Sequence, residues 1–163
     1  MSNIDAALAE SRAAMEELLI AAERSRGWTT PRAAGKWSPS QIVEHVARAY
    51  EESAHAAMGQ PTKFPTFPGF VWPLVRMVFF DRAVRSGKFP RGKTNKAMDP
   101  LAGSATPAEA RLRLEAAHAA FDLACRACGG RFDHSIFGAV SAIDYARFQA
   151  MHTRHHARQM PLA

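Results

Sequence analysis

In Tyr145-Ala-Arg-Phe-Gln-Ala-Met-His152-Thr-Arg-His155-His156-Ala-Arg-Gln159-Met160, two contrasting faces of one helix are visible. On a helical wheel of about 100° per residue, the aromatic, histidine and amide side chains fall within about 40° of His152. They are Tyr145, Phe148, His156 and Gln159. The opposite side carries three arginines, Arg147, Arg154 and Arg158. Because a face with three arginines is expected in solvent, the stretch predicts a long helix whose histidine face is buried.

Four long helices are predicted from their start signals, and the last of them carries this stretch. The second helix has Ser38-Pro39-Ser40-Gln41, which supplies a capping serine, a proline at the first position and a glutamine at the third. The third repeats this device as Thr106-Pro107-Ala108-Glu109. The fourth begins at Ser141 with Asp144 three residues later. The four helices are expected at about 4–26, 38–58, 106–129 and 141–160.

Four helices of this length predict an all-α fold, a four-helix bundle in a single domain over residues 1–163. The links between helices one and two and between helices three and four are short, so each pair is expected to be antiparallel. The middle connection, 60–105, is long and rich in proline, glycine and lysine, with a short extra helix expected at 71–85. A crossover of this length returns the chain across the bundle and leaves helices two and three parallel.

Three histidines are expected to meet in this topology. His152 and His156 are four residues apart, which places their Cβ atoms about 5–6 Å apart on one helical face. His45 lies near the start of helix two, at the same end of the bundle as the end of helix four. Three neutral imidazoles suit a divalent ion such as Zn or Ni and leave one coordination position open. The sequence therefore predicts a metal site at His45, His152 and His156.

Four other residues are weaker candidates for this site. Glu52 falls within about 20° of His45 on the wheel, so it is either a fourth ligand or an acceptor that orients an imidazole. His134 precedes the last helix and either approaches the same end or caps a turn. His155 lies about 60° from the histidine face, and Gln159 lies on it.

A second metal-binding pattern involves cysteines. Cys125-x-x-Cys128 followed by His152-x-x-x-His156 has the residue types of a zinc finger, but 23 residues separate Cys128 from His152. About 12 are expected between the two halves of such a motif. The cysteines are also expected at the far end of the bundle. This site is therefore disfavoured, and a redox role for the cysteine pair is a minor alternative.

The charge of the chain is strongly basic, with a formal net charge of +6 and a pI of about 9.9. Part of it is concentrated in one acid-free stretch: Arg82, Arg85, Lys88, Arg91, Lys93 and Lys96. The simplest interpretation is a solvated loop, and the main alternative is recruitment of an anionic substrate, for which Arg91 and Lys93 are the candidates. Nucleic-acid binding is a remote alternative, because the stretch offers only Phe89 for stacking on a base.

No targeting or membrane-spanning segment is predicted. The N-terminus lacks a basic region followed by an apolar one. The longest apolar run, 70–80, is interrupted by Pro73 and Arg76 and is shorter than the roughly 20 residues that a membrane span needs. We therefore expect a cytoplasmic protein that does not bind membranes, and the sequence leaves a homodimer open.

Two motifs near the ends of the chain resemble those of a known family. Trp37-Ser38-Pro39-Ser40-Gln41-Ile42-Val43-Glu44-His45, together with His152-x-x-His155-His156-x-x-Gln159, resembles the DinB-like superfamily of metal-binding four-helix bundles. The segment His134-Ser-Ile-Phe137-Gly138 before the last helix is similar to one branch of it. The resemblance implies a divalent metal held by His45, His152 and His156, and parallel middle helices. Several relatives resemble metal-dependent thiol transferases that use bacillithiol, mycothiol or glutathione.

These observations favour a metal-dependent enzyme that acts on a small molecule. The metal would activate a thiol or water against an electrophile, in the manner of a thiol transferase or a hydrolase. A non-catalytic metal-binding bundle with a role in stress or sensing is the alternative. A basic nucleic-acid-binding protein is the third.

Overall fold

The computed structural model describes residues 3–90 and 95–161. The four predicted long helices are all present, each within a few residues of its predicted bounds. In chain order the elements are α1 (Asn3–Glu23), α2 (Pro39–Ala57), α3 (Trp72–Val75), a π-helix (Arg76–Asp81), α4 (Arg82–Ser86), α5 (Pro107–Ala127), β1 (Arg131–His134), β2 (Gly138–Ser141) and α6 (Ala142–Ala157). The protein is thus mostly helical.

The starts of α2 and α5 confirm the capping motifs. Ser38 accepts a hydrogen bond from the Gln41 backbone, and the Gln41 side chain accepts one from the Ser38 backbone. Thr106 and Glu109 make the same reciprocal pair. Each box satisfies two backbone N–H groups that a helix start leaves without partners. Both helices therefore start at the residue that the sequence specifies, which sets where His45 lies on α2.

The connection between α2 and α5 contains the predicted extra helix, but with an irregular interior. The helical region runs through α3, the π-helix and α4, and Gly87 ends it in the left-handed conformation with a φ of 66°. Short 3₁₀ turns occur before and after it, at Gly69–Val71 and Lys96–Met98. A π-helical turn inserts one extra residue into a helical turn. The residue types are the same as in an α-helix, so the sequence pattern does not reveal it.

A β-hairpin precedes α6 where a loop was expected, and it adds a small two-stranded sheet to the otherwise helical fold. β1 and β2 pair antiparallel, with Phe132 opposite Val140. Each strand has only four residues, which is too short for alternation to predict a strand. Gly138 has a φ of 68°, and a Cβ there would lie 3.0 Å from the Trp72 ring. Glycine is therefore favoured at position 138 both by the positive φ angle and by the close approach of the Trp72 ring.

The core of the bundle is formed by α1 packed against α6 and α2 packed against α5. Its largest fully buried side chains include Tyr50, Tyr145, Phe121 and Leu114. Ion pairs reinforce the helix contacts at the surface; Arg113, for example, reaches Glu51 at 2.6 Å. Within the described ranges, no helix is both long and apolar enough to cross a bilayer.

The end of the crossover is fastened to the start of α2. The Gln41 amide donates to the carbonyls of Pro100 and Leu101, at 3.1 and 3.3 Å. Ser40 donates to the Ser104 carbonyl at 2.8 Å. A Cβ on Gly103 would overlap the Ser40 backbone, so only glycine allows this approach. These contacts bring the 3₁₀ turn at Lys96–Met98 next to His45.

Candidate metal centre

Three buried histidines meet at one end of the bundle. His45 is on α2, and His152 and His156 are one turn apart on α6. Their exposed fractions are 5%, 8% and 6%. The Nε2 atom of His152 lies 3.2 Å from Nε2 of His45 and 3.1 Å from Nε2 of His156. Among the described residues this is the group of potential ligands that converges closely enough to hold a metal ion.

The spacing of the nitrogens fits one bound ion. Two ligands at about 2.0–2.1 Å from a metal lie about 3.3–3.4 Å apart in tetrahedral geometry and about 2.9 Å apart at right angles. The two observed separations, 3.2 and 3.1 Å, fall between these limits. Two of the three spacings therefore match a bound ion, and the three ligand nitrogens all lie within 4.8 Å of one another.

Hydrogen bonds behind two of the rings point the Nε2 lone pairs inward. His45 Nδ1 donates to the carbonyl oxygen of Met98 at 2.8 Å. His156 Nδ1 donates to Gln159 Oε1 at 2.9 Å. Since a neutral imidazole carries one proton, Nε2 of both rings is then free to bind a metal. Gln159, predicted as a weak candidate, therefore lies where it fixes a ligand's tautomer.

Burial keeps these rings in the neutral form that a metal needs. Desolvation is the largest cause that lowers the pKa of His45 and of His152. It also lowers the pKa of His156 to about 3. Metal affinity depends on deprotonated ligands, so the cluster does not need to lose protons to bind an ion near neutral pH.

Two aromatic rings pack against the histidines. Trp37 lies 4.7 Å from the His45 ring and 6.1 Å from the His156 ring. Phe89, from the crossover, lies 4.8 Å from the His152 ring. Neither ring was predicted to pack against the site. The position of Trp37 in the Trp-Ser…His motif was a signal for it, whereas no local pattern singles out Phe89.

The histidines form part of the wall of a cavity of about 500 Å³. The rest of the wall comes from α2, the crossover, the hairpin and α6, and includes Phe64, Phe79, Met98 and Phe148. Cavities of about 300–1,000 Å³ are typical of small-molecule sites. The cluster therefore faces a space that a substrate can enter.

The other predicted candidates lie at different distances from the cluster. His155 is half-buried, and its Nε2 accepts from the Gln159 amide at 2.9 Å. His134 lines the cavity, but its Nε2 is 3.0 Å from the Tyr145 hydroxyl. Glu52 accepts from the Lys63 backbone at 2.6 Å and lies near His55, so the structure does not bring it to the ligand group. Glu52 was predicted to accept a hydrogen bond from an imidazole, but the acceptor for the His45 ring is instead the Met98 carbonyl.

The basic stretch and the cysteine pair were the basis of the alternative interpretations. Arg91 and Lys93 lie outside the described residues; Pro90 and Asn95, which flank 91–94 in the sequence, line the cavity. Both cysteines are free thiols, and burial raises the pKa of Cys125. Neither belongs to the converging ligand group found among the described residues.

Helical packing and this histidine group define the class of protein as a helical bundle with a buried three-histidine centre that could bind a metal ion. The family model of the DinB superfamily matches residues 4–160, so the chain belongs to the DinB superfamily. No curated protein and no solved structure gave a significant match.

Proposed function

We propose that this DinB-superfamily protein is a metal-dependent enzyme that activates a thiol or water against an electrophilic small molecule. One observation carries the proposal: three imidazole nitrogens converge on the wall of a cavity large enough for a substrate. Three protein ligands leave a coordination position open, which is typical of catalytic rather than structural sites. His45, His152 and His156 are the proposed ligands.

A divalent ion at these nitrogens supplies a Lewis acid that lowers the pKa of a thiol or of water. The chain's own residues orient and shield the ligands. Met98 and Gln159 fix the tautomers of two rings. Trp37 and Phe89 pack against the rings and keep bulk water from their faces. Zn or Ni is the ion that this neutral nitrogen set favours, and a low-molecular-weight thiol such as bacillithiol, mycothiol or glutathione is the proposed co-substrate.

We also infer the chain direction that assembles this site, with α2 and α5 parallel. The support comes from side-chain contacts at matching heights of the two helices. Glu44, early in α2, lies 3.4 Å from Arg113, early in α5. Further along both helices, the Tyr50 ring is 5.0 Å from His118. In this arrangement the long crossover covers the end of the bundle where His45 lies.

The first test is a metal analysis of protein purified without a histidine tag, compared with His45→Ala. We expect about one Zn or Ni per wild-type chain and a large loss in the variant. The second test is turnover of the metal-loaded protein with a panel of three thiols and of electrophiles such as 1-chloro-2,4-dinitrobenzene. Metal without turnover of any pair would leave the non-catalytic bundle as the function.

That alternative, a metal-binding bundle with a role in stress or sensing, shares the histidine site and differs only in having no substrate. The cavity beside the histidines favours the enzyme, because a purely structural ion needs no such space. Nucleic-acid binding remains the remote alternative. A DNA titration at two salt concentrations would detect it, since binding to phosphates falls steeply with salt.

A further inference from the structure

The cavity wall beside the three histidines is built largely of aromatic and aliphatic side chains. The rings touch one another: Phe89 and Phe137 lie 5.2 and 5.7 Å from Phe148. Phe64 lies 4.8 Å from the His134 ring. Phe67 and Phe79, which also line the cavity, are 38% and 44% exposed, so parts of its wall reach the protein surface.

No aspartate, glutamate, lysine or arginine lines this cavity within the described ranges. Several of the polar groups that line it are engaged with the protein. The Tyr145 hydroxyl, for example, is within 3.1 Å of Ser53 and 3.0 Å of His134. Desolvation lowers the pKa of His134 to about 3, so this ring is neutral. A charged group entering the cavity away from the histidine centre would lose hydration, and the aspartates, glutamates, lysines and arginines of the described ranges would offer it no counter-charge there.

We propose that the cavity holds the uncharged, ring-bearing body of the electrophilic substrate, with the reactive end directed to the three histidines. The inference rests on the proposed function for the role of the reactive end, but binding of the body depends only on the apolar wall. A carboxylate-bearing thiol then keeps its charged groups outside the wall of phenyl rings. The protein would thus select substrates whose body is uncharged and contains an aromatic ring.

The test is calorimetric titration of the metal-free wild-type protein with 2-naphthamide and with 2-naphthoate. The two probes have almost the same shape, and only the second is charged. We expect 2-naphthamide to bind at least ten-fold more tightly than 2-naphthoate. Equal affinities, tighter binding of 2-naphthoate, or no binding of 2-naphthamide would overturn the proposal. Chelated protein is used because a bound cation would attract the carboxylate directly.

A cavity-filling variant locates the bound probe. Val75 lines the cavity from α3 and is only partly buried, so Val75→Trp narrows the space without disturbing the centre of the bundle. We expect at least a ten-fold loss of 2-naphthamide affinity, while the metal content of the separately loaded variant stays the same. Ala49→Leu, at a residue that lines the cavity from α2, is the second variant. Undiminished affinity in both would place the probe elsewhere and overturn the proposal.

These outcomes separate this inference from the proposed function. If 2-naphthamide binds as expected but no thiol and electrophile pair turns over, the cavity assignment stands and the catalytic role fails. If turnover is found but 2-naphthoate binds as well as 2-naphthamide, the catalytic role stands and the substrate class is wrong.

Discussion

Two sets of buried histidines in this bundle have opposite surroundings. His118, on α5, is 1% exposed and lies 3.2 Å from the Ser11 hydroxyl. Ser11 in turn is 3.0 Å from the Tyr50 hydroxyl, which is 3.0 Å from Thr153. This is a closed polar network between helices. The three histidines at the end of the bundle instead direct ring nitrogens at one another and at a cavity.

The difference shows what separates a structural buried histidine from a ligand. Burial is similar in both sets, and desolvation lowers the pKa of His118 as it does for the cluster. What differs is the partner of the Nε2 atom, which is the Ser11 hydroxyl for His118 and another imidazole nitrogen in the cluster. A hydroxyl network can satisfy His118 with hydrogen bonds, whereas three convergent imidazole nitrogens can be satisfied together by a cation.

The largest effect is expected from exchanging a cluster residue for a non-ligand. His152→Ala should reduce the metal content from about one ion per chain to less than about a tenth, because it leaves two ligands. The Tm in metal-replete buffer should fall as well, since a ligand at 100 times its Kd adds about 2.7 kcal/mol to the free energy of unfolding. His118→Gln is the matched control and should keep the metal. Inductively coupled plasma mass spectrometry measures both.

One outcome would break the comparison altogether. If His45→Ala retained full metal while Cys125→Ala lost it, the ligand set would be wrong. Full metal in His152→Ala together with loss in His118→Gln would move the site to the middle of the bundle.

The next effect concerns the pH dependence of stability. The pKa of His118 is lowered to about 4 from 6.5, chiefly by desolvation. Between these values the unfolded chain binds more protons, so the free energy of unfolding rises with pH and is lost as pH falls from 6.5 to 4. The full difference is about 3 kcal/mol. Urea unfolding in a chelator should show a flatter pH profile for His118→Gln than for the wild type. Parallel profiles would mean that His118 is solvated.

A smaller effect is expected behind the cluster. Gln159→Leu removes the acceptor of His156 Nδ1 and should weaken metal binding by about 10–100-fold. Glu52→Gln is the matched comparison, since its carboxylate contacts the Lys63 backbone and should change metal affinity less than about three-fold. Competition with a chromogenic chelator measures both. If Glu52→Gln weakened metal binding more than Gln159→Leu, Glu52 would lie beside one of the three clustered histidines and Gln159 would lie in solvent.

The smallest effect is expected from the basic stretch. Neutralising Arg91 and Lys93 together should raise KM for an anionic thiol about two- to three-fold at low ionic strength and flatten its salt dependence, because a positive field enriches anions near it. KM for a neutral electrophile and the metal content should not change. Kinetics at two ionic strengths would decide this, and an unchanged thiol KM would leave the stretch as a solvated loop.

The fold was largely predictable where local chemistry is strong. Capping residues such as Ser38 and Thr106 specify helix starts within one residue, and the arginines of α6 identify its outer face. The hairpin before α6 was missed because four-residue strands carry little periodic signal. The π-helix at Arg76–Asp81 was missed for a related reason, since its sequence is compatible with an ordinary helix.

At the site, the histidine group was predictable because two of its members repeat at helical spacing and all three lie near helix ends that meet in the structure. The Met98 carbonyl was not, since any residue has a backbone carbonyl and only the fold of the crossover selects this one. Phe89 was missed for the same reason. The contacts of Met98 and Phe89 depend on the path of the irregular crossover, and the crossover sequence has no periodic pattern that predicts that path.

The crossover has a consequence for how a metal ion at the three histidines and a ligand in the cavity would affect each other. It contributes Met98, which holds His45 in its ligand tautomer, and also Phe79 and Phe89, which line the cavity. One segment thus has to be in place for both kinds of binding. Thermodynamic linkage then requires reciprocity: whatever factor the ion adds to the affinity for a cavity ligand, that ligand adds to the affinity for the ion.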